Sequence, residues 1–128
     1  MTNEVEYIHW LDGVIKGQGC LLGEVSYIFL GDSEMLHLNQ KYLNHDTLTD
    51  IITFDYATGM HLYGDIFISV DRVRENAMEL GIPFETELRR VMVHGVLHLI
   101  GYADKSDDER KLMRATEEKM MKLFHVEH

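Results

Sequence analysis

Apolar residues recur every three or four positions at the start of the chain, over residues 4–16, which predicts an amphipathic helix. We expect its buried face to consist of Val5, Ile8, Leu11 and Ile15. Gly17 and Gly19 follow directly and would end this helix, because glycine accepts the left-handed backbone conformation that is common after a helix.

Three later segments are rich in β-branched and aromatic residues and predict strands, over residues 24–30, 50–56 and 64–70. The residues between the second and third strands, 57–63, predict a turn or hairpin loop. Helical patterns predict four further helices, at about 32–42, 71–80, 84–100 and 106–124. This order of elements predicts an α+β fold, in which a small mixed β-sheet packs with helices.

Residues that favour helix ends support three of these boundaries. Asp32 or Ser33 would cap the second helix, since both side chains can accept a hydrogen bond from a free backbone N–H. Gly81 would end the third helix. Ser106 and Glu109 have the spacing of a capping box and would open the last helix.

The composition and charge of the chain narrow the class of protein but do not identify its function. The 128 residues include 45% hydrophobic and 27% charged residues, which suits a single globular domain over residues 1–128. A single cysteine, an N-terminus without a signal-like pattern and the lack of a membrane-length apolar run favour a cytoplasmic protein. The formal net charge of −10 argues against a general nucleic-acid coat, but it leaves room for a local basic patch or a metal site.

The strongest chemical signal is the histidine pair His94 and His98 in the predicted helix 84–100. Four positions along a helix place two side chains about 40° apart and about 6 Å along the axis, so both imidazoles can reach one ion. The alternative is a pair of hydrogen-bonded histidines in the core. We favour a divalent metal, zinc in particular, because a glycine and an acidic residue follow the pair.

A third ligand would come from beyond Gly101, where the chain can leave the helix and fold back. Asp104 is the first residue of a strong ligand type after this glycine, and Asp107 and Asp108 are possible substitutes. Two histidines, one aspartate and one open position are typical of a catalytic zinc site. A metal-bound water is then one candidate nucleophile and a hydroxyl group of the substrate is equally allowed, and no further catalytic residue is assigned.

The residue after the first histidine separates this pattern from the zinc peptidases. Their HExxH motif has a glutamate there as the general base, whereas this chain has Gly95. Peptide hydrolysis is therefore disfavoured.

Three segments resemble one protein family. HGVLHLIGYAD (94–104) is similar to the HGxLHLxGYDH signature of the YbeY endoribonucleases, the bacterial rRNA maturation factors. LNQKYLNHDTLTDIITFDY (38–56) is similar to the family's LNxxYRxxDxxTDVLSF, and GDIFIS (64–69) to its GDIxIS. Together the similar segments cover about residues 24–120, in the family's order.

The resemblance implies a zincin-like metal-dependent hydrolase fold and one zinc ion held by three residues of the signature. It also implies metal-dependent cleavage of single-stranded RNA, with a role in processing the 3′ end of small-subunit rRNA and in ribosome quality control. The expected partners are ribosomal RNA and the ribosome or a ribosomal protein.

Three departures from the family pattern matter. Asp104 stands where the family has a third histidine, so we expect a less positive metal and an activity optimum at higher pH. Leu43 stands where the family has an arginine suited to the substrate phosphate, a role that Lys41, Arg89 or Arg90 would have to take. The family's extra strand before the first helix has no counterpart here, so the sheet should differ at its edge.

Other residues are expected near the site with less support from their spacing. Lys41, Tyr42 and Arg89 are expected to bind substrate. Asp50 would orient a ligand histidine, or else satisfy backbone donors at a strand start. Two alternative functions stay open: a ribosome assembly factor with a structural metal, and a metal-dependent hydrolase of another small substrate.

Overall fold

The computed structural model describes residues 4–43, 49–56 and 59–125, and within them the chain forms five helices and three strands. The helices are α1 (Glu4–Gly17), α2 (Asp32–Leu43), α3 (Val70–Leu80), α4 (Phe84–Ile100) and α5 (Asp107–Lys122). The strands are β1 (Leu21–Leu30), β2 (Ile51–Asp55) and β3 (His61–Ser69), and a 3-10 turn at Leu123–His125 follows α5. None of the described helices combines the length and the apolar character that crossing a membrane requires.

The strands form one mixed sheet in the order β1-β3-β2, with β3 at its centre. β1 runs parallel to β3, and β2 runs antiparallel to it. Side chains alternate between the two faces of β3, so Leu62, Ile66 and Ile68 point into the core. The α+β prediction, with a small mixed sheet and the histidine pair on a central helix, is confirmed.

Two strands begin earlier than predicted. β1 starts at Leu21 rather than at residue 24, and β3 starts at His61 within the predicted loop 57–63. The two extensions pair with each other, since Leu21 and Leu22 lie opposite His61 and Leu62. The extra pairing buries the side chain of Leu62. The local sequence pattern of neither segment predicts this burial. Residues 57 and 58 of the predicted loop lie outside the described residues.

The predicted buried face of α1 is wrong at two of its four positions. Val5 and Ile8 are 71% and 60% exposed, whereas Leu11 and Ile15 are buried. The helix is turned so that it buries Tyr7, Trp10 and Val14 as well. Aromatic rings remove more apolar area from water than Val5 and Ile8 would, and the rings of Tyr7 and Trp10 both pack edge-on against Phe124.

The start of α2 also differs from its prediction. The helix begins at Asp32, so both predicted caps, Asp32 and Ser33, lie inside it, and the Asp32 carboxylate has partners outside α2. That carboxylate accepts hydrogen bonds from the Ser69 hydroxyl at 2.9 Å and from Arg72 Nε at 3.0 Å. Asp32 therefore ties α2 to the start of α3. The predicted end of α3 at Gly81 and the capping box of Ser106 and Glu109 are both confirmed.

Helix α4 lies directly on the sheet, and a glycine makes this possible. A Cβ atom added at Gly95 would lie 2.9 Å from both Ile51 Cδ1 and Ile66 Cγ2, which is closer than real Cβ contacts. On the strand side, a Cβ added to Gly64 would meet Leu99 of α4 at 3.0 Å. Close packing at Gly95 fixes the height and rotation of α4, and with them the direction of the neighbouring His94.

Substituting Gly95 tests this contact. We expect Gly95→Ala to lower the free energy of unfolding by about 1–3 kcal/mol, because overpacking forces the helix or the sheet to shift. Gly13→Ala is the matched control: Gly13 lies in α1 with nothing within 4 Å of an added Cβ. The control should gain up to about 1 kcal/mol from the better helix propensity of alanine. Urea unfolding followed by circular dichroism measures both, and equal effects would contradict the close contact.

Candidate metal centre

The two predicted histidines lie side by side on the second half of α4. The centroids of the His94 and His98 rings are 4.6 Å apart, and the ring planes meet at 83°. Both side chains are partly exposed, so neither is a fully buried core residue. The i, i+4 spacing puts both imidazoles on one side of α4, and their exposure places that side at the surface of the protein rather than in the core.

The chain after α4 brings Asp104 to the same place. Gly101 ends the helix with a φ of 127°, and its N–H donates to the carbonyls of Leu97 and His98. Three residues later, Asp104 Oδ2 lies 3.4 Å from His94 Nε2 and 3.2 Å from His98 Nε2. His94, His98 and Asp104 therefore form a group of three donor atoms, all within 4.8 Å of one another.

These distances suit metal ligands better than a hydrogen-bonded cluster. Zinc bonds to nitrogen and oxygen are about 2.0–2.2 Å long, so neighbouring ligand atoms of a tetrahedral site are about 3.3–3.6 Å apart. A charge-assisted hydrogen bond would draw the atoms to about 2.7–2.9 Å. The 3.4 Å separation falls within the first range, and the 3.2 Å separation, which is also a hydrogen-bond distance, lies just below it. Three protein donors would leave a fourth position for water or substrate.

The alternative third ligands, Asp107 and Asp108, are not part of this group of donors. The carboxylate of Asp107 accepts a hydrogen bond from Arg110, and Asp108 is exposed in the first turn of α5. Arg110 also donates to the Lys105 carbonyl at 2.7 Å, and this bond holds the segment between α4 and α5 in place. The Tyr102 hydroxyl donates to Gln18 Oε1 at 2.8 Å, which fixes the same segment to the end of α1.

Glu117 is a residue of this site that the sequence reasoning missed. It is only 2% exposed, and its Oε2 lies 2.5 Å from His94 Nδ1. Because an ionised carboxylate can only accept, Nδ1 carries the hydrogen and Nε2 faces Asp104. Burial raises the pKa of Glu117, but the hydrogen bond from His94 and the charge of Arg90 outweigh this effect and lower it below its ordinary value.

Arg90 connects Glu117 to a second buried acid. Its Nη1 donates to Glu117 Oε1 at 3.1 Å, and its Nη2 and Nε donate to Glu87 at 2.6 and 2.8 Å. Glu87 is fully buried, and the hydrogen bonds that it accepts from Arg90 are the main reason that the pKa of Arg90 is raised. The chain of contacts runs from Glu87 through Arg90 and Glu117 to His94.

Arg89, a predicted substrate-binding residue, does not reach this site. Its guanidinium lies over the Phe124 ring, 4.5 Å from the centroid, where it packs on the aromatic cluster beside α1. Arg89 lies five positions before His94, a spacing that puts the two side chains on different sides of α4. This position gives Arg89 a packing role and does not favour substrate binding by it, which stays a prediction.

Lys41 and Tyr42 lie at the end of α2, on the other face of the sheet. The Tyr42 ring packs edge-on against Phe54, and the Lys41 ammonium lies 5.3 Å from the Tyr42 centroid. Phe54 points away from α4, because residues of β2 alternate and Ile51 lies against Gly95. A role for Lys41 and Tyr42 in binding substrate stays a prediction.

Asp50 is placed next to α3 rather than beside a histidine. Its Oδ2 accepts a hydrogen bond from the Asn76 amide at 3.4 Å, and its carbonyl accepts from the Ser69 N–H. The partner of His94 Nδ1 is Glu117, so Asp50 does not orient this ligand. Its position favours the second interpretation, a residue that satisfies donors at a strand start.

One signal in the sequence could have revealed Glu117. The buried stripe of α5 includes Met113, Thr116 and Met120, and Glu117 lies within this stripe. A charged residue on the apolar face of a helix requires a partner, because a buried carboxylate is stable only when it is paired. The identity of that partner depends on how α5 packs on α4.

Comparisons with known proteins agree on one family. A sequence profile described as Endoribonuclease YbeY matches residues 3–125. A Flavobacterium psychrophilum protein with the same description is 55% identical over 126 residues, which are 98% of this chain and 90% of that protein. Its counterpart in Flavobacterium johnsoniae is 49% identical over 127 residues, which are 99% of this chain and 91% of that protein.

A solved structure extends the agreement to the fold. The solution structure of a Thermotoga maritima protein superimposes with a TM-score of 0.69 at 31% sequence identity. The match covers 94% of this chain and 80% of that one.

A zinc titration of the metal-free protein tests the three donors. Zinc should raise the free energy of unfolding by about 2.7 kcal/mol when free zinc is a hundred times the dissociation constant. Asp104→Ala should remove most of this gain, whereas Asp108→Ala, an exposed acid of α5, should keep it. Thermal unfolding with and without zinc measures the effect. A loss in the Asp108 variant instead would identify a different third ligand.

Proposed function

The chain belongs to the YbeY family of endoribonucleases, and we propose that it cleaves single-stranded RNA with one zinc ion held by His94, His98 and Asp104. The members of this family are metal-dependent hydrolases, and the family function is the maturation of rRNA 3′ ends. The observation that carries the proposal is the meeting of these three donors at the end of α4. The donor set favours zinc, since imidazole nitrogen and carboxylate oxygen are among its usual ligands.

Each residue of the site has a separate role. His94 and His98 come from one helix, so their separation is set before an ion arrives. Asp104 adds a negative charge on the solvent side, where an RNA strand can approach. When bound, the zinc ion supplies Lewis acidity toward a phosphoryl oxygen and toward water. Gly95 faces the sheet, so a glutamate base like that of the zinc peptidases has no room at this position.

An exposed arginine offers a contact for the substrate phosphate. Leu43 replaces the family's arginine, and the guanidinium groups of Arg89 and Arg90 are both engaged with other groups. Arg114 of α5 is 63% exposed, and its Nε lies 3.7 Å from Glu117 Oε1. Its position beside the centre and its access to solvent support a role in binding the backbone phosphate.

The charge of the chain bears on its partners. With a net charge of −10, the protein as a whole repels RNA, so local contacts and a protein surface must guide docking. We therefore propose ribosomal RNA within the ribosome, or bound to a ribosomal protein, as the substrate. The same partners imply a cytoplasmic location. The family match from residue 3 to residue 125 supports one YbeY-like domain over the chain.

A second candidate function is an assembly factor whose metal is structural. Leu43 and the acidic charge favour it, because both weaken contacts to phosphate. This alternative predicts that metal removal unfolds the protein and that no RNA turnover occurs.

A cleavage assay separates the two functions. Purified protein with zinc should cut a single-stranded rRNA precursor, and His94→Ala should lose more than about a hundredfold in rate, because even residues that only orient a metal ligand contribute about 10–100-fold. His61→Ala is the matched control, since His61 is exposed at the start of β3. Equal cleavage by wild type and His94→Ala would refute the nuclease proposal.

The pH dependence should depend on Asp104. Asp104→His replaces an anionic donor by a neutral imidazole, so the centre becomes more positive by one charge. Acidic groups at the centre then ionise at lower pH, and the pH–rate profile of the variant should move to lower pH than that of the wild type. An unchanged or upward-shifted profile would show that Asp104 does not set the charge of the centre.

A further inference from the structure

We propose that Glu117 is the positioning residue of the metal centre: it holds His94 so that Nε2 faces the ion, and Arg90 and Glu87 hold Glu117 in turn. This inference deepens the proposed function and rests on it. Glu117 touches neither substrate nor reacting atoms, and it acts through His94 alone.

The geometry restricts both side chains. Glu117 Oε2 accepts from His94 Nδ1 at 2.5 Å, and Oε1 accepts from Arg90 Nη1 at 3.1 Å. Because each oxygen has its own partner, the carboxylate cannot rotate without losing a hydrogen bond. The imidazole is then fixed at one nitrogen, and its other nitrogen points to Asp104, 3.4 Å away.

Charge balance explains why this acid points at a metal ligand. Glu87 and Glu117 are both buried, and Arg90 is the cation that they share. These two acids and one cation carry a net charge of −1, which the ion pair to Arg114 offsets only in part, because Arg114 is 63% exposed and its Nε lies 3.7 Å from Glu117 Oε1. A buried charge that is only partly balanced is costly, so the group favours a cation bound on the far side of His94.

A purely structural role for Glu117 predicts a different result. Through Arg90 it also links α5 to α4, so Glu117 could serve only to join the helices. A structural link changes the stability of the metal-free protein but not the zinc affinity of the folded molecules. A positioning residue changes the zinc affinity of molecules that are fully folded.

The experiment compares Glu117→Gln with its neighbour Glu118→Gln. Glu118 is exposed, so its variant removes one charge from the same helix without touching His94. Zinc affinity is measured by competition with a chromophoric chelator, on protein shown to be folded by circular dichroism. Glu117→Gln should bind zinc about 10–100-fold more weakly than wild type. Glu118→Gln should stay within about twofold.

The outcomes separate the two proposals. Equal zinc affinity of the two variants overturns this inference and leaves the proposed function standing. Failure of the wild type to bind zinc overturns both. Should Glu117→Gln not fold, nitrogen-15 NMR of the zinc-loaded wild type decides. A proton on His94 Nδ1 in slow exchange with water supports the inference, and zinc bonded through Nδ1 overturns it.

Discussion

The close packing of α4 on the sheet at Gly95 is the constraint on which the rest of the site depends. An added Cβ there would be 2.9 Å from side chains of both β2 and β3, so the helix has one height and one rotation. With that rotation, the side of α4 that carries His94 and His98 reaches the surface of the protein. It also places Arg90, one turn earlier, where α5 can meet it. The core thus orients the ligands before any ion is present.

A buried acidic network then gives the site its charge. Glu87, Arg90 and Glu117 form a hydrogen-bonded group that ends at His94 Nδ1, and Asp104 approaches the ligand nitrogens from the solvent side. Together these groups carry more negative than positive charge, which suits a divalent cation and not a bare phosphate. We therefore propose that the protein attracts RNA through a bound metal ion and through local cations such as Arg114. The acidic surface of the remaining chain makes this dependence stronger.

How far the sequence predicts each feature depends on whether its cause is local. The histidine pair and the break at Gly101 are local, so their spacing predicts them, and with them the third donor Asp104. The α+β order is predictable because periodicity separates helices from strands. The buried face of α1 is not, since its sequence contains two overlapping apolar faces and the packing against Phe124 decides between them. Glu117 and His94 are 23 positions apart, so only the docking of α5 on α4 brings them together.

We propose that two histidine nitrogens and one aspartate oxygen hold a zinc ion. X-ray absorption at the zinc edge of the purified protein tests it most directly. We predict four light ligands at about 2.0–2.1 Å, with the multiple-scattering signature of two imidazoles, and a changed spectrum in Asp104→Ala. A sulfur ligand near 2.3 Å, a single imidazole, or a spectrum that Asp104→Ala leaves unchanged would contradict the account.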